Sequence, residues 1–270
     1  MTSQRLLRLA ALFGAAALLA GCASGSTSSG SGDGDTVTIR VAAVTSPATD
    51  IVAAAAAQIE DGYEIEPLTI TDYVTVNSML GSGDIEASFS QHEPYMQEFN
   101  EKNGASLTAV QPVYNFVIAF YSRTVDDIAD LPDGARVAIP NDASNAGRAL
   151  KLLADNGLVT LDPSIDPYAA TVDDITANPR DLQFLKVEIA QLNTAYEEAD
   201  LVFQWPSHIA ALGLTPQEDG LLTELDDRFA LQLVVGADVD PETVEALRKA
   251  FTSDVVRDVI DGNPSIEAAF

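Results

Sequence analysis

From Thr36 onward, short β-branched runs alternate with helix-patterned segments, and this alternation restricts the fold more than any other feature of the chain. "TVTIRVAAV", residues 36 to 44, alternates and reads as a strand, and "ATDIVAAAAAQIE" then reads as a helix. "YEIEPLTI" reads as a strand, and "YVTVNSMLGSG" as a short helix closed by glycine. "DIEASFS" is a strand, and "EPYMQEFNEKNG" a helix with Pro94 near its first turn and Gly104 past its end. Later, "LTAVQPV", "NFVIAFYSR", "ARVAIP", "LQFLKVEI", "DLVFQ" and "FALQLVV" read as strands. "NAGRALKLLADNG", "LNTAYEEA", "PSHIAALG" and "PETVEALRKAFTSDVVRDVI" read as helices.

Strands connected through helices give parallel α/β sheets. The roughly 235 residues from Thr36 suit one large domain or two α/β lobes. "DIEASFSQHEPYMQEF" and "ADLVFQWPSHIAAL" share a plan: an acid, an apolar strand, Gln beside an aromatic ring, Pro, then a helix. Ligands of open α/β sheets bind where strands end and helices begin. The echo therefore reads either as two lobes facing one cleft or as a coincidence between two strand–helix units.

The N-terminus reads as an export signal over residues 1–21. Arg5 and Arg8 precede the apolar "LAALFGAAALLA", and "LAGC" ends it at Cys22, the single cysteine of the chain. "LAGC" resembles the lipobox of bacterial lipoproteins, in which that Cys becomes the first mature residue and carries lipid. Residues 22–35, rich in Gly and Ser, read as a flexible tether. The chain holds 14 basic and 41 acidic side chains, and loss of Arg5 and Arg8 takes its formal charge from −27 to −29. That balance argues against nucleic acid and against a polybasic membrane contact.

Two histidines and no cysteine beyond Cys22 leave too few ligands for a transition-metal site, so no metal or cofactor is expected. No G-x-S-x-G or Walker-type loop is present. An enzyme using His92 as base beside Ser90 lacks a positioned acid, and no catalysis is expected. "IPNDASNAGRAL", residues 139 to 150, is the more informative stretch. Pro140 ends a strand, turn and cap types follow, and a helix is expected to begin near Asn145. Helix N-terminal N–H groups with the Arg148 fork make a socket for a small carboxylate, unless Arg148 instead meets a surface acid. Tyr73, His92, Tyr95 and Trp205 each fall at or just after a strand end, where aromatics line a pocket or pack two lobes together.

"TDYVTVN", "GDIEASFSQHEPY", "VAIPNDASNAGRALKLL" and "GLTPQEDG" resemble the MetQ/NlpA family of lipoproteins, the substrate-binding components of methionine ABC importers. The resemblance runs from about Thr38 to Asp254. It implies an α/β, two-lobed periplasmic-binding-protein fold of type 2-like plan, with parallel or mixed sheets and a ligand cleft at the hinge. Lobe 1 would take residues 36–120 and 226–270, and lobe 2 residues 121–225. It implies a monomer anchored by lipid on the extracytoplasmic face of the cell membrane. That monomer would deliver a methionine-like amino acid to an ABC permease with its ATPase. Carried over by position, Tyr73, His92 and Tyr95 would line the side-chain pocket, and Asn145 and Arg148 would hold the carboxylate. Three positions depart from the family. Ser90 stands where the family has Phe, Trp205 where it has a pocket Asn, and Gln232 where it has a second Asn. Indole only donates, so Trp205 cannot accept from an α-ammonium, although its face can meet a cation. These departures keep open a binding protein for another small carboxylate, or a surface lipoprotein without a transport role.

Overall fold

The computed structural model describes residues 36–270. The export signal, Cys22 and tether expected over residues 1–35 lie outside the described residues. The strands are β1 (Val37–Ala43), β2 (Tyr63–Thr69), β3 (Ala87–His92), β4 (Thr108–Phe116), β5 (Ile118–Tyr121), β6 (Arg136–Pro140), β7 (Thr160–Leu161), β8 (Ile175–Ala177), β9 (Gln183–Val187), β10 (Leu201–Gln204), β11 (Leu222–Glu224), β12 (Leu231–Val235) and β13 (Ile266–Ala268). The α-helices are α1 (Ala48–Ala56), α2 (Tyr73–Ser82), α3 (Glu93–Asn103), α4 (Ala143–Asp155), α5 (Leu192–Tyr196), α6 (Pro206–Ile209), α7 (Pro216–Asp219), α8 (Pro241–Phe251) and α9 (Asp254–Asp261).

Eleven of the strands build two mixed sheets, and β7 and β8 pair separately as an antiparallel two-stranded sheet. The six-stranded sheet has the order β13-β4-β12-β3-β1-β2, and the five-stranded sheet the order β11-β5-β10-β6-β9. β1 and β2, joined through α1, pair parallel. The β1–β3 and β6–β9 pairs are parallel as well. β5 and β12 pair antiparallel with their neighbours. These are the strands at which the chain changes sheet: β4 leads into β5 across Val117, and β11 leads back to β12 through residues 225–230. A strand delivered by such a crossing has no helical crossover to fix its direction.

Each sheet buries its own apolar face. Ile39, Val41, Ile51, Phe89, Leu233 and Phe251 are fully buried around the first sheet, and Val137, Leu150, Leu153, Leu201 and Phe203 around the second. Each such side chain contributes about 1.5–3 kcal/mol by leaving water. β3 is central, between β1 and β12, and all six of its residues are buried. The sheets thus hold firmly the strand ends from which the site is built. Four turns carry it, each a strand running into a helix cap. Asp72 caps α2 and accepts from Thr75 N at 2.6 Å; His92 caps α3; Asp142 caps α4; Trp205 occupies the cap position of α6.

Candidate ligand-binding site

Between the two sheets lies a cavity offering about 60 Å³ to the centres of water-sized molecules, room on the order of five waters. Tyr73, Ser90, His92, Tyr95, Asn145 and Trp205 all line it, so it gathers six of the eight positions expected to meet ligand. The two echoing segments therefore face the same space, one contributing Ser90, His92 and Tyr95, the other Trp205. Tyr114, Phe116, Leu231 and Ile266 add apolar wall.

His92 organises the polar side. Its Nδ1 accepts from Tyr95 N at 3.2 Å, capping α3, which leaves the proton on Nε2 to donate to Asn145 Oδ1 at 2.9 Å. Burial, aided by the nearby Arg148 charge, lowers its pKa to about 3, so the ring is neutral. Asn145 Nδ2 donates to Asp142 Oδ1 at 2.9 Å, and the same oxygen accepts from Asn145 N at 2.9 Å and Ser144 Oγ at 3.0 Å. Burial pushes the Asp142 carboxyl above its usual range.

On the aromatic side, Tyr73 and Tyr95 meet edge to face at 6.5 Å, and His92 packs on Tyr95 at 6.2 Å and on Phe229 at 5.0 Å. Tyr73 Oη lies 3.1 Å from His208 Nε2, a contact between α2 and α6. Burial lowers the His208 pKa to about 4. His208 enters the site only through this bond and through its ring, 5.8 Å from that of Trp205. Its spacing of three residues from Trp205, in a helix-forming run, was the sequence signal that both share a face.

Two of the expected positions do not line the cavity. Arg148 is 1% exposed and does not line the cavity. Its Nε and Nη2 donate to the two Glu224 oxygens at 2.8 and 3.0 Å, and its guanidinium stacks 4.1 Å from the Phe229 ring centre. Nη1 alone of its nitrogens has no hydrogen-bond partner among the described residues. The α4 N-terminus is also taken. That helix begins at Ala143, two residues earlier than expected, because Asp142 supplies the cap. Its first N–H groups are held by Asp142 and by Glu98 of α3. The open socket read from "IPNDASNAGRAL" is thus largely filled by the protein's own carboxylates. Gln232, the second such position, borders a neighbouring recess with Tyr168 and Arg228, away from the cavity. The β12 register shifts between Gln232 and Leu233, and it is Leu231 that lines the cavity.

The amide beside Trp205 is spent as well. Gln204 Nε2 donates to Asn193 at 2.6 Å, and its Oε1 accepts from Trp205 N at 3.1 Å. Gln91 and Asn77 bond each other reciprocally. Thr45, Ser90 and Ser207 also line the cavity and bring hydroxyl groups to it. Among the described residues no Asp, Glu, Lys or Arg lines the cavity and His92 there is neutral, so a ligand with an apolar body suits it.

The family described as NlpA lipoprotein matches residues 39–269. A probable D-methionine-binding lipoprotein MetQ of Vibrio cholerae is 35% identical over 207 residues, covering 76% of this chain and 77% of that protein. A nutrient binding protein from Burkholderia cenocepacia, solved bound to methionine, superposes with a TM-score of 0.80 at 31% identity, over 86% of this chain and all of that one. An ABC transporter periplasmic substrate-binding protein from Coxiella burnetii superposes with a TM-score of 0.79 at 28% identity, again over 86% of this chain and 100% of that one.

Proposed function

The chain belongs to the NlpA lipoprotein family, and from that premise we propose that it is the lipid-anchored, extracytoplasmic binding protein of an ABC importer. It captures methionine or a closely related amino acid and delivers it to a permease with its ATPase. The observation that carries this reading is the single cavity lined by Tyr73, Ser90, His92, Tyr95, Asn145 and Trp205, drawn from both sheets. One lobe of the clamp takes residues 36–117 with 226–270 and the other 118–225, because β5 pairs within the five-stranded sheet, ahead of the 120/121 division expected from the sequence. A ligand touching both lobes favours closure, because only the closed arrangement makes both sets of contacts. Multiple acylation of Cys22 holds the clamp at the membrane surface; one chain alone would bind marginally.

In this reading the thioether body lies among Tyr73, Tyr95, Tyr114 and Phe116. The carboxylate meets Asn145 at the cavity wall, and a local shift would bring it to Arg148 Nη1, which is buried and without a hydrogen-bond partner among the described residues. The α-ammonium meets hydroxyls and the Trp205 face in place of the family amide. Trp205 and the committed Gln204 amide favour a second reading, a ligand that carries no free α-ammonium.

Thermal denaturation and calorimetry of residues 36–270 against L- and D-methionine, N-acyl and 2-hydroxy analogues, and other apolar amino acids test both readings. A ligand at a hundred times its dissociation constant adds about 2.7 kcal/mol of stability. Methionine stabilisation supports the first reading. Stabilisation confined to analogues lacking the ammonium selects the second, and no stabilisation by any of them ends both.

A further inference from the structure

Glu98 joins the two halves of the molecule at a point away from the cavity. It lies on α3, which follows β3 of the six-stranded sheet, whereas α4 follows β6 of the five-stranded sheet. One Glu98 carboxylate oxygen accepts from Ala143 N at 3.1 Å, and the other from Ser144 N at 2.9 Å. The first N–H groups of a helix have no intrahelical partner and carry partial positive charge. At α4, Asp142 takes the N–H of Asn145, and Glu98 takes the two that precede it. Lys102, one turn along α3, bonds the same carboxylate and fixes its direction. The Glu98 side chain is 14% exposed. Burial pushes its carboxyl upward, but Lys102 and the two α4 amides outweigh that and hold it below the usual range, so it is ionised.

We propose that Glu98 is an interlobe latch: a tethered anion that docks on the N-terminus of α4 when the lobes meet and holds the clamp shut without touching the ligand. The proposal rests on the closing-clamp reading given above. Both bonds require α3 and α4 to adjoin. Opening the lobes returns one carboxylate and two amides to water, so every increment of their net strength favours the closed arrangement. Two charge-assisted hydrogen bonds at a helix N-terminus shift such an equilibrium by about tenfold. Ligand dissociation requires opening, so the latch appears in the dissociation rate more than in the association rate. It is also distinct from the other bridges, His92 to Asn145 and Tyr73 to His208, in which His92, Asn145 and Tyr73 line the cavity.

The test uses the full chain with labels at exposed Gln58 and Asp133, one beside each sheet, in wild-type, Glu98→Gln and Glu98→Ala backgrounds. Interlobe distance is read by fluorescence transfer, with and without L-methionine. Hydrogen exchange at Ala143, Ser144 and Asn145 is followed in parallel. The expected result is a longer mean distance in ligand-free Glu98→Ala, with exchange at Ala143 and Ser144 faster by about tenfold and exchange at Asn145 little changed. Glu98→Gln, which keeps one acceptor, falls between. Faster exchange with unchanged distance would reduce Glu98 to a simple cap of α4 and overturn the latch. Unchanged exchange overturns it too. Where L-methionine binds, its dissociation from Glu98→Ala speeds up about tenfold. Where it binds no form, the methionine reading fails, and the ligand-free distance and exchange still decide the latch.

Discussion

Replacing Arg148 by alanine is expected to weaken the fold before it weakens any ligand. The side chain is 1% exposed, and Glu224, its partner in two bonds of 2.8 and 3.0 Å, is 20% exposed. Alanine strands the Glu224 carboxylate and opens a void beneath Phe229 and Phe116, whose ring centres lie 4.1 and 5.3 Å from the guanidinium carbon. Removing one member of a buried ion pair costs about 3–5 kcal/mol, and the partial exposure of Glu224 places this case near 3. A domain of this length loses about 2–4 °C of Tm per kcal/mol, so a fall of about 6–12 °C is expected. Urea denaturation of Arg148→Ala, Glu224→Ala and the double variant measures the coupling directly. It should exceed about 1 kcal/mol, with the double variant much less damaged than the two single losses added together. A loss of ligand binding in Arg148→Ala with stability changed by less than about 1 kcal/mol would refute the reasoning. It would mean that Glu224 does not hold the guanidinium in solution.

His92 titrates near pH 3 when folded and near its ordinary 6.5 when unfolded, so it is neutral in the fold. Stability is therefore full above pH 6.5 and declines below it, as the unfolded chain takes a proton that the fold refuses, by about 2 kcal/mol between pH 7 and 5. His208, lowered to about 4, adds a loss of the same sign. Urea midpoints at those two pH values should converge in the His92→Gln, His208→Gln variant, and an undiminished gap would assign the effect to other groups. Trp205→Asn should raise L-methionine affinity by about tenfold, read by calorimetry, if the indole has displaced the acceptor for the ammonium; an unchanged affinity would show that hydroxyls already suffice. Gly147→Ala would set a methyl 2.1 Å from the Tyr168 carbonyl oxygen, which forces the 167–169 turn off α4. A loss of at least about 1–3 kcal/mol is expected in thermal unfolding, and an unchanged Tm would contradict that contact.

The strand–helix alternation was legible because it depends on local periodicity and on caps that announce themselves: Pro94 in a first turn, Gly104 in the left-handed conformation at a helix end. The short pieces were not legible. β7, β8, α7 and β11 span two to four residues each, too few for a period to be read. β13 is as short, and it pairs with β4, distant in sequence, so no local pattern marks it. The antiparallel direction of β5 and β12 depends on where the chain changes sheet, which no residue type encodes. At the site, the aromatic positions were readable as strand ends that the two sheets bring together. His208 was passed over because its role comes from Tyr73, 135 positions away.

The same distance rule explains why an acid of the chain itself was one of two owners anticipated for the anion at "IPNDASNAGRAL", while which acid was not. Helix-start chemistry and a buried guanidinium do demand negative charge, and both receive it. The donors are met by Asp142, by Glu98 about 45 positions earlier, and by Glu224, 76 positions later. In a chain with 41 acidic side chains this outcome is favoured. A tethered carboxylate competes at an effective concentration of at least millimolar order, above that of a scarce nutrient. A binding site in such a chain must therefore hold back a donor that no side chain of its own can reach. Arg148 Nη1 fits that condition: Nε and Nη2 are committed to Glu224, and Nη1 is buried without a hydrogen-bond partner among the described residues. In the proposed function, the ion pair that fills most of the socket is thus also what orients the donor left for a ligand. Glu224→Gln should accordingly disturb carboxylate affinity as well as stability, although Glu224 does not border the cavity.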